Sequence, residues 1–521
     1  MDTKVQLIDC TLRDGGYYNN WNFSKSFIQK YLNIFSKTEI RNIEIGFLTI
    51  PENRNKGITA NCNKFFFKRL VIPKNVNCGI MINGSDFLNN QLNETKIFNH
   101  LEDIPIKSVK FIRFACQIYE ISKIKKYILY LKRKGFKIFV NIMQISEVKK
   151  KEIKNICNEL RNICDVIYIA DSLGSLNKRN TKSILKNFQK FTKKPLGIHT
   201  HDNISKAFEN SIAAYKCEVE WIDGTMQGMG RGPGNVKTED LVKYFFKKDS
   251  NTYKQISNLS KKFLILKKKY KWGTNQYYYL SGLHKIHPTY IQMLISDDRY
   301  KDLDYKEVIK NLKKLNARKY NPNTMFLAMN FFKKKFINNQ PEKNKIKLKK
   351  NPIIFGNGKT LKNKNFFKNE LFKESTNILI NRSRFISDKD VDLISYCHPL
   401  RLMADINYIK KYQKKILMPY DSIPGLLQKK IKKDNIINFN FNLGSEIKLS
   451  KQSLILPNPL NLVYCICYLI SKSYKKIYIA GFDGFTADDP FKDETQININ
   501  KIKKIFPAVK IISLTKTTLI L

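Results

Sequence analysis

Eight short apolar runs recur at near-regular intervals between residues 5 and 224, and this spacing constrains the fold more than any other feature. They read VQLIDC (5–10), NIEIGF (42–47), NCGIMI (77–82), VKFIRFA (109–115), KIFVNIM (137–143), VIYIAD (166–171), LGIHTH (196–201) and VEWIDG (219–224). Each run is apolar almost throughout rather than alternating, the pattern of a strand covered on both faces. Amphipathic stretches such as FSKSFIQKYLNIFSKT and SEVKKKEIKNICNELRNIC lie between most of them. Buried strands alternating with helices eight times in about 240 residues is the arithmetic of a (β/α)8 barrel. A doubly wound sheet is the alternative, and the eight repeats with polar residues gathered at strand ends favour the barrel.

The rest of the chain changes character twice. After a barrel assigned to residues 1–245, apolar residues fall at three- and four-residue spacing in NTYKQISNLSKKFLILKKKY, YYYLSGL, PTYIQMLI and YKEVIKNLKKL, which predicts a helical extension over 246–340. The Lys-rich stretch from Lys333 to Lys350 reads as a connection, with the linker proper at 341–350. From 351 to 521, PIIFGNG, NILINRS, DLISYC, KILMPY, SLILPN, KIYIAGFDGF and VKIISLT predict a second, Rossmann-like α/β domain. The two halves show no internal repeat.

Charge is the feature most easily over-read. The 521 residues carry 94 Lys+Arg against 44 Asp+Glu, a formal charge of +50, which invites a nucleic-acid or anionic-membrane partner. Lys far outnumbers Arg, however, and it is scattered beside Asn and Ile in the manner of an A+T-rich coding sequence. The surplus reads as a solvated surface. No basic recognition helix, ribonucleoprotein motif or finger spacing is present, so no specific nucleic-acid partner is expected. With 42% hydrophobic and 12% aromatic residues, wholesale disorder is excluded. No run reaches the roughly 18 uncharged apolar residues of a membrane span; Leu460–Ile470 is too short and follows Pro457 and Pro459. The N-terminal segment does not read as a signal peptide. The ten cysteines sit mostly in apolar runs without a CxxC pair, which predicts reduced thiols and a cytoplasmic protein.

Chemistry gathers at the predicted strand ends. Asp14 follows the first strand in TLRDGG, and His199 and His201 lie on the seventh in GIHTHDN. Positions i and i+2 of a strand face the same way, so both imidazoles reach one point. A barrel brings the C-terminal ends of its strands to one mouth, and Asp14 joins them there. Two imidazoles and a carboxylate form a divalent-metal set. After the eighth strand comes DGTMQGMGRGPGN (223–235), whose glycines permit close backbone approach and whose Asn235 offers a neutral oxygen.

DCTLRDGG, IEIGF, ADSLG, HTHDN and GMGRGPGN, in that order, resemble the DRE-TIM metallolyase superfamily (HMGL-like) over about residues 1–240. The superfamily includes 4-hydroxy-2-oxovalerate aldolase, hydroxymethylglutaryl-CoA lyase and isopropylmalate synthase. The aldolase branch is nearest, and the HPTY run at His287–Tyr290 is similar to aldolase-like proteins associated with surface-polysaccharide genes. The resemblance implies a cytoplasmic metal-dependent aldolase or oxo-acid lyase. Asp14, His199, His201 and Asn235 would hold the metal, with Mn²⁺ or Mg²⁺ favoured over Zn²⁺. Arg13 would stabilise an enolate, Glu44 would support Arg13 and the metal shell, and Ser172 would hold the carboxylate of a pyruvate unit. The partners implied are a 2-oxo acid and an aldehyde, and a homo-oligomer is expected.

One departure matters. The aldolases carry a histidine just after LRDG as general base, whereas this chain reads LRDGGYYNNW. Tyr17, Tyr290 or His287 takes that role, or the reaction differs; aromatic packing at the mouth explains Tyr17 equally well. A Claisen-type acyl-CoA condensing synthase is one alternative. A barrel that has lost catalysis and serves as a glycan-assembly scaffold is another, favoured by the missing histidine and disfavoured by the intact metal set. In the second domain, Gly356 and Gly358 of IIFGNGKTL, Asp483 of GFDGF, and Arg382 and Arg384 faintly resemble nucleotide-sugar-using sialyltransferase-like domains, implying a nucleotide-sugar partner.

Overall fold

Each of the eight apolar runs becomes a strand: β1 (Gln6–Asp9), β2 (Asn42–Phe47), β3 (Asn77–Asn83), β4 (Val109–Cys116), β5 (Lys137–Ile142), β6 (Val166–Asp171), β7 (Leu196–Thr200) and β8 (Trp221–Gly224). Every neighbouring pair is parallel, and β8 closes on β1 through Gln6–Trp221 to Asp9–Gly224, giving a closed barrel. The computed structural model describes residues 5–53, 55–88, 92–332, 348–362, 370–484 and 490–521. The described residues divide into two compact units, Met1–Ser296 with Asn316–Tyr320, and Asp297–Leu315 with Asn321–Leu521. Residues 333–347 of the Lys-rich stretch lie outside the described residues.

Period-two geometry explains why the strand runs are apolar on both faces. Outward side chains such as Ile112, Phe114, Ile138, Val140, Ile167 and Ile169 pack under the helices. The inward set forms a separate cluster of Ile8, Cys10, Phe111, Phe139, Val166, Tyr168 and Trp221. Its aromatic rings are layered, with centroids 5.2 Å apart for Phe111–Phe139 and 5.9 Å for Phe139–Tyr168, and Trp221 meets Phe139 edge-on at 4.9 Å. Gly197 makes room for this layer, since a Cβ there would stand 2.3 Å from the Tyr168 ring. The barrel floor is thus a packed plug, and the charged residues Glu44, Arg113, His199 and Asp223 lie above it, on the side of the strand C-termini.

Helices Ile118–Arg133, Lys150–Leu160 and Lys178–Phe191 follow β4, β5 and β6, and each buries one apolar stripe. Beyond the barrel, Asn251–Tyr270, Gln276–Leu283 and Pro288–Ser296 are helices of the first unit, whereas Tyr305–Lys314 and Pro322–Ala328 group with the second.

The second unit is a further α/β domain. Its strands are β9 (Ile353–Phe355), β10 (Asn377–Ile380), β11 (Leu393–Ser395), β12 (Lys415–Met418), β13 (Ile436–Asn438), β14 (Asn440–Leu443), β15 (Lys448–Leu449), β16 (Ser453–Leu456), β17 (Lys476–Ala480) and β18 (Lys510–Ser513). Seven form a parallel sheet in the order β13-β12-β11-β10-β9-β17-β18, and β14-β16-β15 form a small second sheet. Winding reverses at β9, which pairs with β10 on one side and β17 on the other. The apolar stretch that includes Leu460–Ile470 forms the core helix Asn461–Ser471. Among the described residues no helix is long and apolar enough to cross a membrane. All ten cysteines are free, and all but the half-buried Cys217 are buried.

Candidate metal centre

The chain leaves β1 through Cys10 into the turn Thr11–Asp14, so Arg13 and Asp14 are delivered to the barrel mouth within five residues of the strand. Asp9 anchors this exit. Its carboxylate accepts from Thr11 N–H (3.0 Å), the Tyr31 hydroxyl (2.6 Å) and the Thr238 hydroxyl (2.6 Å). His199 and His201 project to one side of β7, their ring centroids 5.0 Å apart. The loop after β8 folds back on β7, with Asn235 bridged to His201 and Asp202 N–H bonded to the Gly234 carbonyl at 2.8 Å. Gly234 is required here: its φ is +87°, and a Cβ would stand 1.9 Å from the Gly228 carbonyl oxygen.

One donor atom from each of Asp14, His199 and His201 lies within 4.8 Å of the others, and all three residues are buried. Asn235 sits beside them, its Nδ2–H donating to Asp14 Oδ2. Buried His201 Nδ1 and Asn235 Oδ1 have no hydrogen-bond partner, an arrangement that costs free energy unless something else satisfies them.

These ligands belong to a closed ring of ion pairs. Arg13 Nη1 meets Asp14 Oδ1 at 2.8 Å and Arg13 Nε meets Glu44 Oε2 at 2.7 Å. Glu44 Oε1 lies 3.4 Å from Arg113 Nε, and Arg113 Nη2 is 2.7 Å from Asp223 Oδ2. The same Asp223 oxygen is 2.8 Å from His199 Nδ1, and His199 Nε2 returns to Asp14 Oδ2 at 3.5 Å. Three carboxylates against two guanidiniums leave a formal surplus of one negative charge. That surplus and the unsatisfied donors suit a divalent cation. Asp223 holds a proton on His199 Nδ1 and so turns Nε2 toward the ligand cluster.

The electrostatics follow from this packing. Burial opposes ionisation of Asp14, yet Arg13 and His199 hold it well below the usual carboxylate range. Asp223 is also depressed, by Arg113 and His199 acting against burial. Burial disfavours protonated His199, but Asp14 and Asp223 outweigh it and raise its pKa. His201 is pushed well down, first by burial and then by Arg231. Cys10, His199 and Asp223 form a second close triad. The Arg113 guanidinium already fills it, with Nη1 3.3 Å from Cys10 Sγ, so a cation there would be repelled.

The other sequence-predicted residues are spread around the mouth. Ser172, just past β6, accepts Gln144 N–H on its Oγ at 3.0 Å. Tyr17 is 37% exposed, stacks edge-on against Trp21 at 4.7 Å and lies near Arg231. Loss of hydration raises its pKa despite the opposing effect of Arg231. Tyr290 is buried and donates to the Lys319 carbonyl at 2.8 Å. His287 Nε2 faces Arg231 Nη1 at 3.4 Å, and burial followed by Arg231 drives its pKa well down. Arg113, Asp223 and Arg231 were not singled out from the sequence; a charge inside an apolar strand was the available signal for the first two.

The HMGL-like family model matches residues 4–261. The oxaloacetate decarboxylase of Mycobacterium tuberculosis is 20% identical over 242 residues, covering 45% of this chain and 68% of the relative. A 4-hydroxy-2-oxovalerate aldolase of Carboxydothermus hydrogenoformans is 25% identical over 247 residues, covering 46% of this chain and 70% of the relative. Among solved structures, the N-terminal domain of a candidate aldolase from Bacteroides vulgatus superposes with a TM-score of 0.51 at 27% identity, covering 59% of this chain and 99% of that one. Over residues 4–261 this chain is an HMGL-like domain of the DRE-TIM metallolyase superfamily.

Proposed function

We propose that the first unit is a metal-dependent carbon–carbon lyase that makes and uses the enolate of a 2-oxo acid, in the aldol or retro-aldol direction. The observation that carries this reading is the buried Asp14–His199–His201 cluster with Arg13 2.8 Å from Asp14, at the C-terminal mouth of a barrel. Relatives named as an aldolase and an oxaloacetate decarboxylase support a metal-dependent lyase at the coarser level, because each name describes a carbon–carbon bond of an oxo acid being made or broken. Asp14, His199, His201 and Asn235 would hold the ion, Mn²⁺ or Mg²⁺. When bound, it supplies Lewis-acid stabilisation of charge on a keto oxygen.

The chain's own groups do the rest. The Arg13 guanidinium, fixed by Glu44 and Asp14, presents its unpartnered buried Nη2–H to the developing negative oxygen. Its ion pairs hold it in place before substrate arrives, so little reorganisation accompanies charge development. Ser172 supports the carboxylate end. The raised pKa of Tyr17 keeps it protonated near neutral pH and disfavours it as the base. Burial and Arg231 keep His287 neutral but weaken it as a proton acceptor, and Tyr290 directs its proton to the Lys319 carbonyl. The aldehyde partner, a role in surface-polysaccharide synthesis and self-association belong to the same proposal.

For the second unit we infer a ligand at the switch point, the nucleotide sugar being the class that the sequence resemblance implies. Gly358 N–H bonds to the Gly481 carbonyl there at 2.8 Å, and Asp483 accepts from Thr360 N–H at 3.1 Å. This joins the turns that follow β9 and β17 at the carboxyl edge, where open sheets bind ligands.

The test of the lyase reading is hydrogen–deuterium exchange of the pyruvate methyl group, followed by NMR with Mn²⁺ present. Exchange well above buffer, abolished in Asp14→Asn, is expected. Exchange no faster than buffer in the wild type would sink the proposal. Thiol release from acetyl-CoA with a 2-oxo acid would instead identify the Claisen route.

A further inference from the structure

Three buried or half-buried arginines surround the centre, and they are not equivalent. Arg13 and Arg113 are each locked between two carboxylates. Arg231, in the loop after β8, has no carboxylate within ion-pairing distance among the described residues. Its Nη2 donates to the Ser172 carbonyl at 2.9 Å, its Nη1 faces His287 Nε2 at 3.4 Å, and its Cζ lies 5.9 Å from the centre of the Tyr17 ring. Its Nε is buried and has no partner. A guanidinium held among a carbonyl, an imidazole and an aromatic face has its position set but its charge unanswered, and that is the condition of an anion receptor.

Ser172 supplies the second half. Its Oγ accepts a backbone N–H from Gln144, which leaves its own proton free to donate, and the residue is 6% exposed. The bond from the Arg231 guanidinium to the Ser172 backbone carbonyl brings the two residues together at the mouth. The loop holding Arg231 is itself fixed: Gly232 N–H donates to Gln292 Oε1 at 3.2 Å, and the Tyr18 hydroxyl donates to the Gly232 carbonyl at 2.5 Å. A carboxylate placed there would receive a charge-assisted bond from one residue and a hydroxyl bond from the other.

We propose that Arg231, with Ser172, is the carboxylate-recognition pair of the site and selects 2-oxo acids over uncharged ketones. This rests on the lyase reading above and adds to it the residue that supplies the countercharge. Arg231 binds substrate, and Arg13 serves the enolate oxygen; the two guanidiniums divide the anion between them.

The experiment measures binding of pyruvate and of its uncharged methyl ester to the full chain loaded with Mn²⁺, by saturation-transfer NMR and calorimetry, in wild type, Arg231→Gln and Arg231→Lys. Mn²⁺ affinity is followed separately by electron paramagnetic resonance. A charge-assisted contact of this kind corresponds to about 10–100-fold in affinity. The wild type should prefer pyruvate over the ester. In R231Q that preference should fall at least tenfold while Mn²⁺ affinity stays within about twofold, and R231K should recover part of it. Undiminished preference in R231Q overturns the assignment and leaves the lyase reading standing. A fall in preference that merely follows a matching loss of Mn²⁺ affinity also overturns it. Failure of the Mn²⁺-loaded wild type to bind pyruvate at all removes both.

Discussion

Replacing Asp223 by Asn tests the ion-pair ring at the point where stability and metal binding are joined. Asp223 is 1% exposed and answers two groups with one oxygen, Arg113 Nη2 at 2.7 Å and His199 Nδ1 at 2.8 Å. Arg113 is fully buried, and without Asp223 its remaining carboxylate is Glu44 at 3.4 Å. Removing one partner of a buried pair costs about 3–5 kcal/mol, and because Asn keeps one acceptor oxygen we place Asp223→Asn near ~3 kcal/mol. His199 also loses the group that orients it, which corresponds to about 10–100-fold in metal affinity. The double variant R113M/D223N removes the stranded cation, so it should be more stable than D223N, within ~1 kcal/mol of wild type, yet bind metal as weakly as D223N. Tryptophan fluorescence during urea unfolding is the right assay, since Trp21, Trp221 and Trp272 all lie in the first unit and report on it alone. Calorimetric titration with Mn²⁺ gives the second quantity. If R113M and D223N add without coupling in stability, or D223N binds Mn²⁺ like wild type, the ring does not act as described.

Two further outcomes are expected. Asp86 has its pKa raised from 3.8 to about 6 by burial, so its folded-state pKa lies above its unfolded value and its contribution to stability is lost as pH rises from about 4 to 6. Asp86→Asn keeps an acceptor for Ile50 N–H and should therefore unfold like wild type at pH 4 but be more stable by about 1–3 kcal/mol at pH 7, checked by urea melts at both; an advantage at pH 4 instead would refute this sign. Phe139→Ala removes the middle ring of the barrel floor, which is fully buried, and should cost about 3–5 kcal/mol in the tryptophan-monitored transition.

The barrel was legible because parallel strands under helices leave an uninterrupted apolar signature, and all eight runs became strands. Asp14, His199 and His201 were legible because strand periodicity and barrel closure together bring them to one mouth. The ring was not. Arg113 sits inside VKFIRFA and Asp223 inside VEWIDG, where each looks like an isolated exception to an apolar rule. Their meaning depends on β4 and β8 facing one another across the interior, a relation that local periodicity does not carry. Arg231 was hidden differently, as one basic residue among 94 in a glycine-rich loop. Its distinction is the lack of a carboxylate neighbour among the described residues, which only the packed structure displays. In the second unit, β16 was legible in SLILPN, whereas its partners were not, because β14 (NFNL) carries two asparagines and β15 has only two residues.

A closed loop of charges also restricts how such a sequence can drift. Any single step that neutralises Glu44, Arg113 or Asp223 strips a buried charge of one of its ion-pair partners, and selection would meet that form before a second substitution could repair it. Across natural relatives, exchanges at positions 113 and 223 should therefore arrive as charge-balanced pairs, or the two sites should stay as they are. The barrel floor beneath carries no such charge constraint, and its aromatic residues can change one at a time at a cost set by volume and packing alone.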